Sequence, residues 1–538
     1  MTAPDFDVAI IGGGHNGLTA AAYLAAAKLR VIVLEKNAIV GGAAVTEEFA
    51  PGFRNSVASY TVSLLNPKVI RDLDLKRFGL DIIERPAGNF WPLDDTTGVL
   101  MPYDFSQRVA AIAALSPKDA EAYPRYDAAL ARAANVLRDL VTRTPPNVGG
   151  GFLSLLKGGA IGRRLLGLSI DDQRQLLGLF TASAADFLGR WFVNETVKAM
   201  FAFDGIVGAY ASPDMPGTAY VLLHHCFGEV NGKPGVWGHA HGGMGAITRA
   251  MAACAQSRGA VIRTDAGVRR VLIENGRATG VVLSNGETIK ARAVAANVGP
   301  KLLFRDLIDA ADVGADMRRP FLAIKTGSGT FRMNVALAEL PNFTCRPGTR
   351  EQRHHAAGII IGPTLAYLEQ AYIEAKTNGW SSQPIVEMLI PSTLDASLAP
   401  PGKHVASLFV QHVAPKLPGK RSWENPAERE TFADVVIDTV TRYAPNFRAS
   451  VLHRQVLSPL DLEQRFGLID GDIFHGQLNL GQLFSARPVL GHADYRMPIA
   501  GLYLCGSGAH PGGGVTGVPG MNAAREMIRD LKPMRRLV

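Results

Sequence analysis

Cysteine is scarce in this sequence: Cys226, Cys254, Cys345 and Cys505 are the only four among 538 residues. They lie far apart and form no C-x-x-C pair, which argues against a disulfide framework and against a redox-active dithiol, and points to a reducing compartment. No uninterrupted apolar stretch is long enough to span a bilayer. The apolar run from Val8 to Ala27 has no basic leader and is broken by Gly12 to Gly14, so it reads as mature folded chain and not as a signal peptide. No basic run is interleaved with aromatics and no zinc-finger spacing occurs, which excludes the usual nucleic-acid signatures. The G-x-S-x-G and H-E-x-x-H motifs are absent. The pairs His224-His225 and His354-His355 lack a convincing third and fourth ligand, so no metal is expected.

What remains is an ordinary globular balance, 47% apolar and 19% charged, with a formal charge of +8. The length permits a large core and more than one domain. The positive charge suits a solvated basic surface, or attraction to an anionic membrane or substrate.

The N-terminal segment "DFDVAIIGGGHNGLTAAAYLAAAKLRVIVLEKN" carries the first specific signal. Val8 to Ile11 reads as a strand buried on both faces, Gly12-x-Gly14-x-x-Gly17 follows at once, Leu18 to Leu29 reads as a helix, and Val31 to Leu34 as a second strand ending in Glu35. Gly12 permits a tight turn, Gly14 lets a pyrophosphate lie against backbone, and Gly17 lets helix and strand pack closely. The helix N-terminus offers N–H groups to phosphate, and Glu35 can accept from both ribose hydroxyls. This is a dinucleotide-binding fingerprint in its full context. Lys36 follows the acidic residue, and Gly41-Gly42 extends the site as in flavoproteins of the glutathione-reductase type. No second G-x-G-x-x-G opens a βαβ unit, so one dinucleotide is expected.

A second glycine-rich loop lies near the other end, in "LYLCGSGAHPGGGVTGVPGMNAAREMIRDL". A short apolar strand runs into Gly506-Ser507-Gly508, and Val515 to Leu531 reads as a helix behind Gly512 to Gly514. A helix N-terminus there would stabilise an anionic reduced flavin. Gly506, Ser507, Gly514 and Val515 are therefore candidate contacts at the flavin end of an FAD.

Together these stretches resemble the phytoene desaturase-related FAD oxidoreductases, and within them the branch named for pyridine nucleotide-disulfide oxidoreductase domain-containing protein 2. The segments "GVWGHAHGGMGAITRAMA", "IPSTLDASLAPPGKHVASLF" and "SPLDLEQRFGLIDGDIFHG" extend the likeness over nearly the whole chain. Ala43 and Ala44 stand where carotenoid desaturases usually carry a basic residue. The resemblance implies an α/β fold with a discontinuous Rossmann-type FAD-binding domain, of the glutathione-reductase and amine-oxidase kind, beside an α+β substrate domain. It implies FAD-domain segments at 1–70, 235–300 and 490–538, with substrate-domain segments at 71–234 and 301–489. It also implies that the backbone of Val268 meets the adenine.

Flavin chemistry needs orientation and a proton acceptor from the protein. His510 lies inside the C-terminal loop, His241 precedes a glycine turn, and His475 sits in "DIFHG"; these are the candidate catalytic residues. The expected function is an FAD-dependent dehydrogenase or desaturase acting on a hydrophobic, isoprenoid-like molecule, with oxygen or a quinone as electron acceptor. The alternatives are a flavin amine oxidase releasing hydrogen peroxide, with an aromatic cage at the flavin, and an FAD-stabilised binding protein. A cytoplasmic setting is expected. Leu/Phe-rich segments near 152–180, with Lys157, Arg163, Arg164 and Arg174, read as core-facing helices with solvated arginines, since glycines and Asp171-Asp172 interrupt the run, or as a peripheral membrane contact.

Overall fold

The computed structural model describes residues 4–348 and 350–532, without the side chains of residues 153 and 157. The stretches 1–3 and 533–538, at the outer ends of two predicted FAD-domain segments, and the side chain of Lys157 lie outside the described residues.

The apolar run after Asp5 forms the strand Phe6–Ile11, and its last four residues are fully buried. It is the middle of five parallel strands, in the order Val261–Arg263, Val31–Leu34, Phe6–Ile11, Thr288–Ala296 and Leu502–Leu504. A strand from each end of the chain thus pairs with strands from its middle, and the two glycine loops emerge at the same edge. Val268–Glu274 and Arg277–Leu283 continue the sheet as an antiparallel meander. Asn275 and Gly276 both hold positive φ at its first turn (52° and 72°), as a tight two-residue hairpin requires.

Two helices begin elsewhere than expected. The first spans His15–Ala26, because Gly14 itself is its N-cap, and it ends before Lys28 turns with φ at +63°. The last spans Val518–Leu531: Val515 lies in the left-handed region at φ +56°, and Pro519 sits in the first turn. Gly520 brings these two helices together, since a Cβ there would lie 2.1 Å from the Asn16 carbonyl oxygen.

A second seven-stranded sheet has the order Val451–Leu457, Thr330–Leu337, His404–Val413, Trp380–Leu389, Gly358–Ile361, Asn89–Pro92 and Gly98–Met101. Alternation along Thr330–Leu337 decides which side chains go where. Phe331, Met333, Val335 and Leu337 pack with Phe432 and Val436 of the helix Pro426–Tyr443. Arg332 and Asn334 point to the other face. Arg332 pairs across with Phe409, and Phe409 with Glu387, so these three side chains form one row across three central strands.

A helical lobe between residues 105 and 226 closes over this face around an aromatic core that includes Tyr126, Phe187, Phe192 and Phe201. Within it, the helices Gly151–Leu166 and Ile170–Thr181 leave large apolar side chains in solvent, among them Phe152 (71%), Leu155 (73%), Leu166 (75%) and Ile170 (67%). No helix among the described residues is long and apolar enough to cross a membrane.

Candidate active site

A cavity of about 450 Å³ runs between the two sheets. One end is walled by Gly12, Gly14, Glu35, Lys36, Val268 and Ser284; its middle by Gly41, Gly42, Ser507, Gly514 and Val515; its far end by Tyr60, Arg85, Asp204, Arg332, Glu387 and Phe409.

The first end is made largely of backbone. Gly13 N–H donates to Glu35 Oε2 at 2.8 Å, and Asn37 N–H donates to Oε1 at 2.9 Å. Each carboxylate oxygen keeps a further lone pair. Glu35 is thereby fixed at the end of its strand, 4% exposed. Gly41 N–H donates to Gly13 C=O at 2.9 Å, so the second glycine pair closes directly onto the first loop. The helix His15–Ala26 has no side-chain cap and no acidic residue in its first turn. Its opening N–H groups therefore have no side-chain competitor for an anion.

Gly17 and Gly506 do not line the cavity. They stand behind it, around Asn297. A Cβ on Gly17 would lie 2.4 Å from the Gly12 oxygen and 2.8 Å from Asn297 Nδ2, and one on Gly506 would lie 3.1 Å from the Asn297 carbonyl carbon. Asn297 Nδ2 donates to Gly12 C=O at 3.1 Å. This asparagine, at the end of the apolar strand Thr288–Ala296, ties both glycine loops together and was not singled out from the sequence.

Of the three candidate histidines, His475 alone lines the cavity. Burial and nearby Arg487 push it down to about 4, and its Nδ1 has no partner among the described residues. His15, which sequence reasoning passed over, also lines the cavity with an unpartnered Nε2; burial and His475 push it down to about 3. His510 is turned away. It is buried against Phe484, and its Nε2 meets the Leu140 carbonyl at 3.2 Å. A place within the loop's sequence did not fix the direction of its side chain. His241 is also off the cavity, largely exposed, 3.6 Å from Asp395. Asp395 is held by Gly242 N–H at 2.6 Å and Ser397 Oγ at 2.6 Å, with His239 Nε2 at 3.2 Å, which makes it an anchor for the glycine turn. No group of three or more metal-ligating side chains occurs among the described residues, and all four cysteines are free.

The far end consists of side chains, and sequence reasoning missed it. The Tyr60 hydroxyl donates to Glu387, and Arg332 lies over the Tyr60 ring with its guanidinium carbon 4.5 Å from the centroid. Arg85 donates to Thr61 Oγ1 and covers the Trp237 ring at 5.6 Å. Burial raises Glu387 above the usual carboxylate range; burial and the charge of Glu387 raise Asp204 to about 7. The available signal was a charge inside an otherwise apolar strand, Arg332 in "TFRMNVAL" and Glu387 in "QPIVEML". A strand buried on both faces admits such a residue only where the structure gives it work or a partner.

The residues fit FAD. Gly12, Gly14, Gly41 and Gly42 line the cavity with bare backbone, the uncapped helix start faces it, and His15 Nε2 and Asn16 Oδ1 are buried beside it without partners among the described residues.

Comparison with known proteins agrees. Residues 10–74 match the model of an NAD(P)-binding Rossmann-like domain, and residues 133–329 that of a flavin containing amine oxidoreductase. The chain is 41% identical over 550 residues to pyridine nucleotide-disulfide oxidoreductase domain-containing protein 2 of Rattus norvegicus, covering 99% of this chain and 94% of the relative. It is 26% identical to a lycopene-forming phytoene desaturase of Pseudescherichia vulneris, over 97% of this chain and 99% of that one. The crystal structure of an oxidoreductase from Methanosarcina mazei superimposes with a TM-score of 0.61 at 17% identity, covering 97% of this chain and 99% of that one. The chain belongs to the family of pyridine nucleotide-disulfide oxidoreductase domain-containing protein 2, oxidoreductases with FAD as cofactor within the amine oxidase and phytoene desaturase superfamily.

Proposed function

We propose that the protein is a dehydrogenase or desaturase that removes hydride from a hydrophobic, isoprenoid-like substrate and delivers the electrons to oxygen or a quinone. FAD, when bound, supplies the hydride acceptor at N5. The chain's own residues bind and orient the substrate and take its proton. Phe203, Val207, Leu462, Ile473 and Phe474 give the cavity apolar walls for the substrate body. Asp204, raised to about 7, is the proposed proton acceptor, since its affinity lies near the working pH.

The observation that favours this reading over an amine oxidase is the occupancy of the aromatic faces. Tyr60 and Phe409 lie together at 5.3 Å, but Arg332 covers them at 4.5 and 5.9 Å. Arg85 covers Trp237 in the same way. The faces that would attract a substrate ammonium are already taken by guanidinium groups of the protein.

The first test is the visible spectrum of the purified protein through dithionite reduction and re-exposure to air. Flavin bands near about 370 and 450 nm are expected, with slow recolouring in air and faster recolouring with a soluble quinone. Anaerobic bleaching by an apolar terpene-like compound, and none by putrescine or benzylamine, supports the proposal. Amine-dependent hydrogen peroxide release replaces it with the oxidase reading, and a bound flavin that no substrate reduces favours the binding protein.

We further infer that the exposed apolar edge of Gly151–Leu166 and Ile170–Thr181 rests on an anionic membrane surface. Phe152, Leu155, Leu166 and Ile170 would enter the interface, flanked by Arg163, Arg164 and Arg174. Sedimentation with phosphatidylglycerol vesicles should carry the protein down, and the double variant Leu155→Glu, Leu166→Glu should stay in the supernatant with its flavin intact. Equal sedimentation of the two overturns this.

A further inference from the structure

Among the described residues, Arg332 and Arg487 are both buried to 1% exposure, and their donors are satisfied differently. Arg487 is saturated. Its Nε meets Ala509 C=O at 3.4 Å, its Nη1 meets Gly476 and Gln482 C=O at 3.1 and 3.2 Å, and its Nη2 meets Phe474 and Ser507 C=O at 2.5 and 2.7 Å. All three nitrogens are used to staple the "DIFHG" turn to the C-terminal glycine loop. Its role is structural, and no donor is left over.

Arg332 has one acceptor. Its Nη2 donates to Ser407 Oγ at 2.6 Å, while Nε and Nη1 have no partner among the described residues. It sits on a central strand, in the row Arg332–Phe409–Glu387, and lines the cavity. Its guanidinium carbon lies over the rings of Tyr60 and Phe409, contacts that position the group without using its N–H donors. A buried charge with unmet donors is costly unless something supplies acceptors. Nη2 has two hydrogens and spends one on Ser407, so one edge of the planar guanidinium, Nε with Nη2 or Nη1 with Nη2, keeps a complete pair of donors that matches a carboxylate, which takes two parallel N–H···O bonds. Arg85, 4% exposed, adds a second positive charge to the same wall.

We propose that Arg332 receives a carboxylate on the substrate, so that the substrate is an amphipathic acid with an apolar body and not a plain hydrocarbon. This deepens the function proposed above and rests on it for the substrate body. The two acidic side chains nearby do not cancel the attraction. Burial holds both above the ordinary carboxylate range, and Glu387 is engaged by the Tyr60 hydroxyl. In the acid form, either can donate to an incoming carboxylate.

The test uses the FAD-loaded protein and three probes of equal chain length: decanoate, decan-1-ol and decylamine. Titration calorimetry reads binding whether or not the flavin responds. Decanoate should bind at least about tenfold more tightly than decan-1-ol, with decylamine the weakest, as expected for a bidentate, charge-assisted contact. Arg332→Met should erase the decanoate advantage while flavin content and dithionite reduction stay unchanged; Arg332→Lys should keep part of it. Equal binding of decanoate and decan-1-ol by the unaltered protein overturns the proposal without any variant. So does an Arg332→Met protein that keeps the preference, or one that keeps its fold and loses its flavin, since the arginine would then serve the cofactor. A flavin that no substrate reduces, in a protein that still selects decanoate through Arg332, would sink the proposed reaction and leave this site standing.

Discussion

The two ends of the cavity are built by opposite means. At the dinucleotide end, Gly12, Gly14, Gly41 and Gly42 present backbone, and the acidic side chain in place, Glu35, is held by N–H groups of Gly13 and Asn37. At the sheet end, Tyr60, Arg85, Arg332 and Glu387 present charged and polar side chains, and partners such as Tyr60 and Glu387 are 327 residues apart. The first end is rigid because it lacks side chains, the second because its side chains hold one another. The first suits a ligand common to many proteins, since backbone N–H groups at a helix start bind an anionic group such as phosphate without reading the rest of the molecule. The second is where one substrate can be told from another.

The strongest way to break the dinucleotide end is to add a single carbon. Gly17→Ala would put a Cβ 2.4 Å from the Gly12 oxygen, and that neighbour is backbone, which cannot swing aside. The variant should lose more than about 90% of its bound flavin, because overpacking of this kind shifts backbone. Absorbance at the flavin band relative to protein measures it. Gly159→Ala is the matched control: the glycine lies inside the helix Gly151–Leu166 with nothing within 4 Å of the added carbon. It should keep its flavin and gain a little stability, up to about 1 kcal/mol from helix propensity. Arg332→Met is the mirror experiment at the sheet end, where probe selectivity should fall while flavin stays. If both variants lost flavin equally, the separation of the ends would be false.

This separation also explains what was legible in the sequence. Gly12 to Gly17, Glu35 and Gly41-Gly42 could be read because close backbone approach admits few residue types and the spacing is local. The sheet pairing could be inferred in outline, since Val8 to Ile11 and Val31 to Leu34 are apolar on both faces. What glycine spacing did not reveal was which glycines touch the cavity; Gly17 and Gly506 give way to Asn297 instead. Side-chain direction was not legible. His510 lies within the C-terminal loop and His475 packs beside it, yet only the latter faces the cavity, after a turn that puts His475 at φ +57°. Arg332 and Glu387 face the same way because of strand register, which no local motif encodes.

A smaller and more diffuse effect should appear in acid. His15 and His354 are held at about 3, and His412, His475 and His510 at about 4, all chiefly by burial. The unfolded chain takes up these protons first, near 6.5, so stability is complete above that pH and is lost as pH falls toward 4. Asp472, raised to about 6, and Asp204, raised to about 7, act in the opposite direction, because their folded forms hold protons more tightly. Five histidines outweigh two carboxyls. Thermal unfolding at pH 5 should therefore come roughly 5 °C or more below that at pH 7.5. A flat profile would mean that water reaches these rings.

The finest test is at Asp204. Its raised affinity keeps it an acid below about 7 and makes it a carboxylate above. Around it on the cavity wall stand Glu387, Tyr60, Arg85, Arg332 and His225, whose Nδ1 lies 2.9 Å from the Asp204 carbonyl. As pH rises through 7, one negative charge is added beside the proposed carboxylate site, and decanoate should bind roughly threefold more weakly or worse at pH 8 than at pH 6. Decan-1-ol, which carries no charge, should bind alike at both. Asp204→Asn should remove the step centred near 7 and leave any slower drift due to Glu387. A step that persists in this variant would assign the titration to another group. A decan-1-ol curve with the same step would mean that the cavity changes shape rather than charge, and that the sheet end is less rigid than its interlocked side chains imply.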